Sequence, residues 1–101
     1  MTADDGEMDG AAVPIRRTAT IVNQRGLHAR AAAKFVKCAE RFDAEIIVTK
    51  ADMSVSGRSI MGLMMLAASP GSDIDLAATG PEAAAAVTAI CTLIANKFDE
   101  D

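Results

Sequence analysis

Residues 15–42 read IRRTATIVNQRGLHARAAAKFVKCAERF, and within this stretch the spacing of apolar side chains changes from every second residue to helical spacing. In the first part the side chains of Ile15, Ala19 and Ile21 alternate with polar ones. A period of two is typical of a strand with one buried face. The stretch therefore predicts a strand, ending near Val22, that leads through a turn into a helix.

The second part of the stretch has the pattern of an amphipathic helix. A turn over residues 23–26 precedes it, and from about Ala29 to Phe42 the apolar residues recur at helical spacing, namely Ala32, Phe35, Val36 and Ala39. The opposite side carries a row of basic residues that we call the basic stripe: Arg30, Lys34, Lys37 and Arg41. The helix is predicted to be apolar inside and cationic outside.

The remaining segments alternate between strand and helix patterns. They are a hairpin of Glu45–Lys50 and Met53–Ser56, a short helix over residues 60–66 after Ser59, a strand over Asp73–Thr79, and a helix opened by Gly80-Pro81-Glu82 with Pro81 at its first position. The order β-α-β-β-α-β-α predicts an α+β sandwich with a four-stranded sheet and three helices on one face. Sequence order alone leaves at least two sheet topologies open, because the ferredoxin-like fold begins with the same series.

The two ends of the chain are predicted to lie outside the core. Residues 1–13 are acidic, rich in glycine and without periodicity, so we expect a disordered acidic tail before a domain over residues 14–101. Asp99, Glu100 and Asp101 are predicted to be a frayed acidic end.

The length and hydropathy exclude several classes of protein. A chain of 101 residues fits one domain and not a multidomain enzyme. No apolar run approaches the roughly 20 residues that cross a bilayer, and the acidic first residues are the reverse of a signal peptide. We therefore expect a cytoplasmic protein with no stable membrane association.

The charge distribution and the cysteine content limit the classes of partner and cofactor that the chain is expected to bind. The net charge is −4, yet the region from Arg25 to Arg41 is basic and opposed by Glu40 alone. A basic patch on an acidic chain without Trp or Tyr favours an acidic protein partner or a phosphate group over nucleic acid. Cys38 and Cys91 are predicted to be small buried apolar residues, so we expect no metal and no cofactor.

His28 is the single histidine and stands just before the predicted first helix. The free amides at a helix start stabilise an anion, and the same positive field disfavours an imidazolium. A neutral imidazole can accept a phosphoryl group on a ring nitrogen, with Arg30 and the amides to bind it. The alternative is an exposed histidine that only caps the helix, because a lone His-x-Arg is a weak pattern.

The second helix offers a hydroxyl and a set of methionines. Ser59 is placed to cap this helix, which is a sufficient structural reason for a serine there. Leu63 and Leu66 suffice for its buried side, so Ile60, Met61 and Met64 are predicted to lie partly outward (an adaptable surface for partners), although a purely core role for them is equally compatible with the pattern.

Two segments resemble the HPr family, the histidine-containing phosphocarriers of the bacterial phosphoenolpyruvate-dependent phosphotransferase system. Residues 26–36, GLHARAAAKFV, are similar to the active-site segment of that family, and residues 57–64, GRSIMGLM, to its regulatory-serine segment. They lie at the relative spacing of the family, and the resemblance covers about residues 15–98. It implies an open-faced sandwich whose antiparallel sheet has the strand order 1-4-2-3.

The resemblance also implies roles for individual residues. His28 would accept a phosphoryl group from phosphorylated enzyme I and pass it to a histidine of an enzyme IIA-type acceptor, while Arg30 binds the phosphate. Ser59 would be the site modified by an HPr kinase/phosphorylase. Such a protein is a monomeric phosphoryl-transfer intermediate and not a stand-alone enzyme. Its partner-binding residues would be Ile60, Met61, Met64, Lys34 and Lys37.

One residue departs from the family pattern and bears on whether the function is sugar transport or a regulatory relay. The usual proline after the arginine is Ala31 here, which resembles homologues that serve a regulatory relay. Sugar transport is one expectation, and a relay or a phosphoserine-switched binding protein without a transport role is the other. A metal chaperone of ferredoxin-like fold would need a Cys-x-x-Cys in the loop over residues 23–28, which has no cysteine.

Overall fold

The computed structural model describes residues 13–100. The elements, numbered in chain order, are the strands β1 (Ile15–Thr20), β2 (Glu45–Lys50), β3 (Met53–Ser56) and β4 (Asp73–Thr79), and the helices α1 (Ala29–Ala39), α2 (Ile60–Met65) and α3 (Ala83–Ala95). A short turn over Lys97–Asp99, which we call the C-terminal turn, follows α3. Of the predicted tail over residues 1–13, residues 1–12 lie outside the described residues, as does the final Asp101.

The four strands form one antiparallel sheet in the order β1-β4-β2-β3. β1 pairs with β4 from Ile15 opposite Ala78 to Thr20 opposite Asp73. β4 pairs on its other side with β2, and β2 forms the predicted hairpin with β3. This is the order 1-4-2-3 that the family resemblance implied, so the topology left open by sequence order is settled.

Alternation along the central strand β4 explains why only one face of the sheet is covered. Ile74, Leu76 and Ala78 are fully buried, whereas Asp73 and Asp75 are exposed. The exposed carboxylates accept hydrogen bonds from hydroxyls of the neighbouring strand β1, Thr20 Oγ1 at 2.6 Å and Thr18 Oγ1 at 2.8 Å. The helices therefore cover the apolar face, and the other face is polar.

The helices bury the sides that their periodicity predicts. In α1 the inner side includes Ala32, Phe35, Val36 and Ala39, and in α3 it consists of Ala83, Ala86, Val87, Ile90 and Ile94. The basic stripe lies on the opposite side of α1, where Arg30 and Lys37 are exposed. Alanine occupies many of the buried positions of these helices.

The boundaries of two helices differ from the prediction. α1 ends at Ala39 and not Phe42, because the chain turns there with Arg41 N–H donating to Cys38 O and Phe42 N–H to Ala39 O. α3 begins at Ala83, with Glu82 as its N-cap. Pro81 thus precedes the helix and is not its first residue.

Contacts of Glu82 explain the later start of α3. Its Oε1 accepts a hydrogen bond of 2.6 Å from the Asp43 amide, and its own amide donates to Asp43 O at 3.1 Å. These bonds hold Glu82 in a non-helical conformation against the loop that follows α1.

Candidate functional site

His28 is the N-cap residue of α1. Its backbone is extended, with φ −76° and ψ 179°, and its carbonyl accepts the first helical hydrogen bond, from Ala32 N–H at 2.8 Å. The imidazole makes no capping hydrogen bond, and 19% of the side chain is exposed. The ring is therefore available for other interactions, unlike that of a histidine that only caps a helix.

The turn before His28 is held against the loop after α2. Gly26 has φ +66°, and a Cβ at this position would lie 2.5 Å from Ala68 O. Leu27 N–H donates to the same carbonyl at 2.9 Å. Only glycine fits a left-handed conformation with such a close backbone approach. This contact fixes the direction from which the chain begins α1.

The carboxylate of Glu100 contacts both His28 and the turn. Its Oε2 lies 2.8 Å from His28 Nε2, and its Oε1 accepts a hydrogen bond of 2.9 Å from Asn23 Nδ2. Asn23 is fully buried and also donates to Gly26 O at 2.7 Å. Glu100 thereby connects the end of the chain to the imidazole and to the turn that positions it.

These bonds also determine whether Glu100 or His28 carries the proton between them. The hydrogen bond from Asn23, followed by that from His28, lowers the pKa of Glu100 below its usual value, so the carboxylate is ionised at neutral pH. An ionised carboxylate only accepts hydrogen bonds, so Nε2 of His28 is the donor. Within residues 13–100, Nδ1 has no hydrogen-bond partner.

The prediction of a frayed end is wrong for Asp99 and Glu100. Phe98 is fully buried, and its carbonyl accepts a hydrogen bond of 2.7 Å from Lys34 Nζ. Lys97, Phe98 and Asp99 all have φ between +55° and +60°. This left-handed turn reverses the chain after α3, so that Glu100 reaches back to the start of α1.

The predicted phosphate ligand and the rest of the basic stripe lie along the surface of α1. Arg30 is in the first turn and exposed, and Lys37 is exposed in the last turn. Lys34, Lys37 and Arg41 line a groove of about 510 Å³ between α1 and α3. His28 does not line this groove, and its side chain is only partly exposed.

Ser59 is the N-cap of α2, as predicted. Its Oγ accepts a hydrogen bond of 2.9 Å from the Gly62 amide, and its carbonyl accepts one of 3.0 Å from the Leu63 amide. The side chain is partly exposed. The hydroxyl therefore stabilises a helix of only six residues while remaining accessible at the surface.

The outward side of α2 is apolar. Leu63 and Leu66 are buried, whereas four large side chains are exposed by 42 to 72%; we call them the α2 patch, and they are Ile60, Met61, Met64 and Met65. The structure thus favours the surface role over the core role for the three of them that the sequence singled out. Met65, which the sequence analysis assigned to neither role, belongs to the same patch.

The cysteines and acidic residues give no sign of a metal site in the described part of the chain. Cys38 and Cys91 are both free, and burial raises the pKa of the Cys38 thiol. Within residues 13–100 no group of three or more His, Cys, Asp or Glu side chains could hold a metal ion, and no helix is long and apolar enough to cross a membrane.

A family model and individual known proteins all relate this chain to phosphocarrier proteins. A family model described as PTS HPr component phosphorylation site matches residues 15–96. The chain is 46% identical over 86 residues to the phosphocarrier protein HPr of Neisseria meningitidis, covering 85% of this chain and 97% of that protein. It is 45% identical over 86 residues to the phosphocarrier protein NPr of Shewanella violacea, covering 85% and 94% respectively.

The fold has a counterpart among solved structures. The crystal structure of HPr-C-His from Thermoanaerobacter tengcongensis superposes with a TM-score of 0.82 at 41% identity. The match covers 86% of this chain and 98% of that chain. The similarity therefore extends over nearly the whole of residues 13–100.

Proposed function

The chain belongs to the HPr family of phosphocarrier proteins of the phosphotransferase system, and from this premise we propose that His28 accepts a phosphoryl group from phosphorylated enzyme I and passes it to a histidine of an enzyme IIA-type acceptor. The observation that carries the proposal is the free Nδ1 of His28 at the start of α1. The side chain of His28 is partly exposed, and in this proposal a histidine of another protein approaches Nδ1 from that side.

The transfer needs a nucleophile and an in-line approach. The lone pair of Nδ1 attacks the phosphorus held on the donor imidazole, the bond between phosphorus and the donor nitrogen breaks, and its electron pair returns to the donor ring. Passing the group to the acceptor repeats these steps with His28 as the donor. No metal or organic cofactor of this chain takes part.

Electrostatic stabilisation comes from α1 itself. The amides of its first turn have no partner inside the helix, and the helix dipole adds a partial positive charge at the same end. Arg30 supplies a guanidinium two residues after His28. These groups favour the extra negative charge that the phosphoryl group brings, and they strengthen their interaction with it during transfer.

The docking surface in this proposal combines the α2 patch with the basic stripe. The apolar side chains Ile60, Met61 and Met64 provide contact area, and flexible methionines adapt to more than one partner. Lys34 and Lys37 favour partners with an acidic surface. Part of Lys34 is engaged with Phe98 O, so Lys37 is the more accessible of the two.

Ser59 is the regulatory position in this proposal, modified by an HPr kinase/phosphorylase. A phosphate at the N-cap of α2 adds negative charge where the helix dipole favours it, so the helix stays folded. The effect falls on docking, because the new charge lies beside the α2 patch and opposes an acidic partner. The protein acts in this scheme as a cytoplasmic monomer.

A regulatory relay is the second candidate function. The 45% identity to the NPr protein is close to the 46% identity to the HPr protein of Neisseria meningitidis, and the residue after Arg30 is Ala31. The relay uses the same chemistry at His28 but delivers the group to an acceptor outside sugar uptake. Transfer assays with purified IIA-type domains of both kinds separate the two, because only the physiological acceptor removes the group rapidly.

Intact-mass spectrometry tests the proposal. The protein is incubated with enzyme I, magnesium and phosphoenolpyruvate at neutral pH, and a gain of one phosphoryl group, about 80 Da, that brief acid treatment removes is expected for a phosphoramidate. No gain with a cognate enzyme I that phosphorylates its own histidine would contradict the proposal. An acid-stable gain would place the group on a hydroxyl instead.

A further inference from the structure

Three contacts hold the end of the chain on the start of α1. Phe98 is buried in the core, Lys34 Nζ donates to the Phe98 carbonyl, and Glu100 accepts hydrogen bonds from Asn23 and His28. The bond from Lys34 joins the C-terminal turn to α1, and the two bonds of Glu100 join the residue after that turn to the N-cap of α1 and to the turn before it. Glu100 is therefore held in place and is not a carboxylate that visits the imidazole from solvent.

The backbone of the C-terminal turn is costly, which indicates that its geometry matters. Lys97, Phe98 and Asp99 are non-glycine residues with φ of +58°, +55° and +60°. The left-handed region is unfavourable for residues that carry a Cβ. Burial of the Phe98 ring in the core offsets part of this cost and directs Glu100 towards His28.

We infer that Glu100 is a positioning residue of the phosphoryl-transfer site, which holds His28 as the Nε2–H tautomer and so leaves the lone pair on Nδ1. The inference rests on the proposed function of His28. It follows from the geometry, because a carboxylate whose Oε2 lies 2.8 Å from Nε2 can only accept the Nε2 proton. The second bond, from Asn23 to Oε1, fixes the orientation of the carboxylate.

The hydrogen bond between His28 and Glu100 also acts during the phosphoryl transfer. When the lone pair of Nδ1 forms a bond to phosphorus, the ring keeps its Nε2 proton and gains a formal positive charge. The donor ring loses a positive charge of the same size as it recovers its electron pair, so charge is conserved. Glu100 faces the Nε2–H of the ring that becomes positive, and its carboxylate stabilises that charge.

Nitrogen-15 NMR of the imidazole tests the inference without any transfer. The chain has one histidine, so its ring signals need no assignment among several. At a pH where the ring is neutral, we expect a protonated Nε2 and an unprotonated Nδ1 in the wild type. Glu100→Ala is expected to increase the fraction of the other tautomer. A wild-type ring protonated at Nδ1, or the same tautomer ratio in Glu100→Ala, would overturn the inference.

Transfer kinetics provide the second readout. Glu100→Gln keeps the shape and an oxygen acceptor for Asn23 or His28 but removes the charge, and we expect phosphorylation by enzyme I to slow roughly tenfold, the usual effect of losing one charge-assisted hydrogen bond. The matched control is Asp99→Asn, which removes a charge from the same turn. Asparagine tolerates the left-handed conformation of that position, and Asp99 does not contact His28.

The outcomes separate this inference from the proposed function. A wild-type protein that accepts no phosphoryl group contradicts the proposed function, whatever the tautomer. A wild-type protein that accepts it, together with Glu100→Gln and Asp99→Asn variants that are equally fast, contradicts only the role of Glu100. Thermal unfolding of each variant confirms that a slower transfer does not reflect loss of the fold.

Discussion

The first amides of a helix have no partner within the helix, and α1 and α2 differ in whether a side chain caps them. At α2 the cap residue Ser59 uses its side chain to accept the Gly62 amide. At α1 the cap residue His28 makes no capping bond, and its Nε2 lies 2.8 Å from Glu100 Oε2. We call the start of α2 closed, because the side chain of its N-cap residue caps it, and the start of α1 open, because within residues 13–100 no side chain caps it.

The two helices differ in what stabilises them. α2 has six residues and needs its cap, because short helices have little stability of their own. α1 has eleven residues and a well-buried inner side, so packing stabilises it without a cap. The helix with the greater packing can leave its first amides unpaired, and this is where the phosphoryl group is proposed to bind.

The largest expected effect comes from exchanging the cap residues for alanine. His28→Ala is expected to abolish acid-labile phosphorylation by enzyme I, while Ser59→Ala retains it, because only the first variant removes the nucleophile. His28→Ala is also expected to fold normally, since the imidazole does not cap α1. Intact mass and thermal unfolding measure the two properties. Phosphorylation of His28→Ala at the wild-type level would show that the open helix start is not the site.

Charge reversal at the open start is expected to be next in size. Arg30→Glu should slow transfer by about 10²-fold, since removing one group that stabilises developing charge typically has an effect of this order. Arg41→Glu is the matched control, because it makes the same charge change on the same stripe after the end of α1. Single-turnover transfer from phosphorylated enzyme I distinguishes them. Equal rates for both variants would assign Arg30 to general surface charge.

Loss of the cap at the closed start is expected to have a moderate effect on stability. Ser59→Ala should lower the free energy of unfolding by about 1 kcal/mol, because the Gly62 amide loses its partner. Ser59→Asp restores a capping acceptor and adds a charge, so it should recover the stability but weaken docking to enzyme I. Chemical denaturation measures the stability of the two variants, and binding measurements with enzyme I measure their docking. If docking is unaffected by Ser59→Asp, charge at α2 is not a switch.

The smallest expected effect is a pH dependence of the Glu100 contact. The pKa of Glu100 is lowered in the folded protein by Asn23 and His28, with a smaller contribution from the charge of Arg25. Its contribution to stability is therefore complete above the unfolded value, about 4.3, and is lost as pH falls through the lower folded value. The difference in unfolding free energy between wild type and Glu100→Gln should shrink below pH 4.3. A difference that grows on acidification would contradict this contact.

Most of the fold is visible in the sequence because it depends on local periodicity. The alternation over residues 15–21 and the helical spacing over residues 29–39 each identify an element and its buried side. The strand order did not follow from these patterns, because pairing between distant strands has no local signal. It was implied only by the resemblance to the HPr family, and the sheet confirms it.

The site was predictable only in part. His28 and Ser59 are found at helix starts because glycine, serine and helical patterns mark those places locally. Glu100 was missed because its contact with His28 spans 72 residues and depends on a left-handed turn formed by non-glycine residues. The buried Phe98 near the end of an acidic segment was the one signal that the chain returns to the core there.

Phosphoryl transfer at His28 is tested most directly by phosphorus-31 and nitrogen-15 NMR of the labelled protein after phosphorylation by enzyme I. We expect a single phosphoramidate whose phosphorus couples to Nδ1 of His28, with the proton retained on Nε2 beside Glu100. A phosphoryl group on Nε2, or on Ser59 with the imidazole unmodified, would contradict the claim that the open start of α1 presents Nδ1 for transfer.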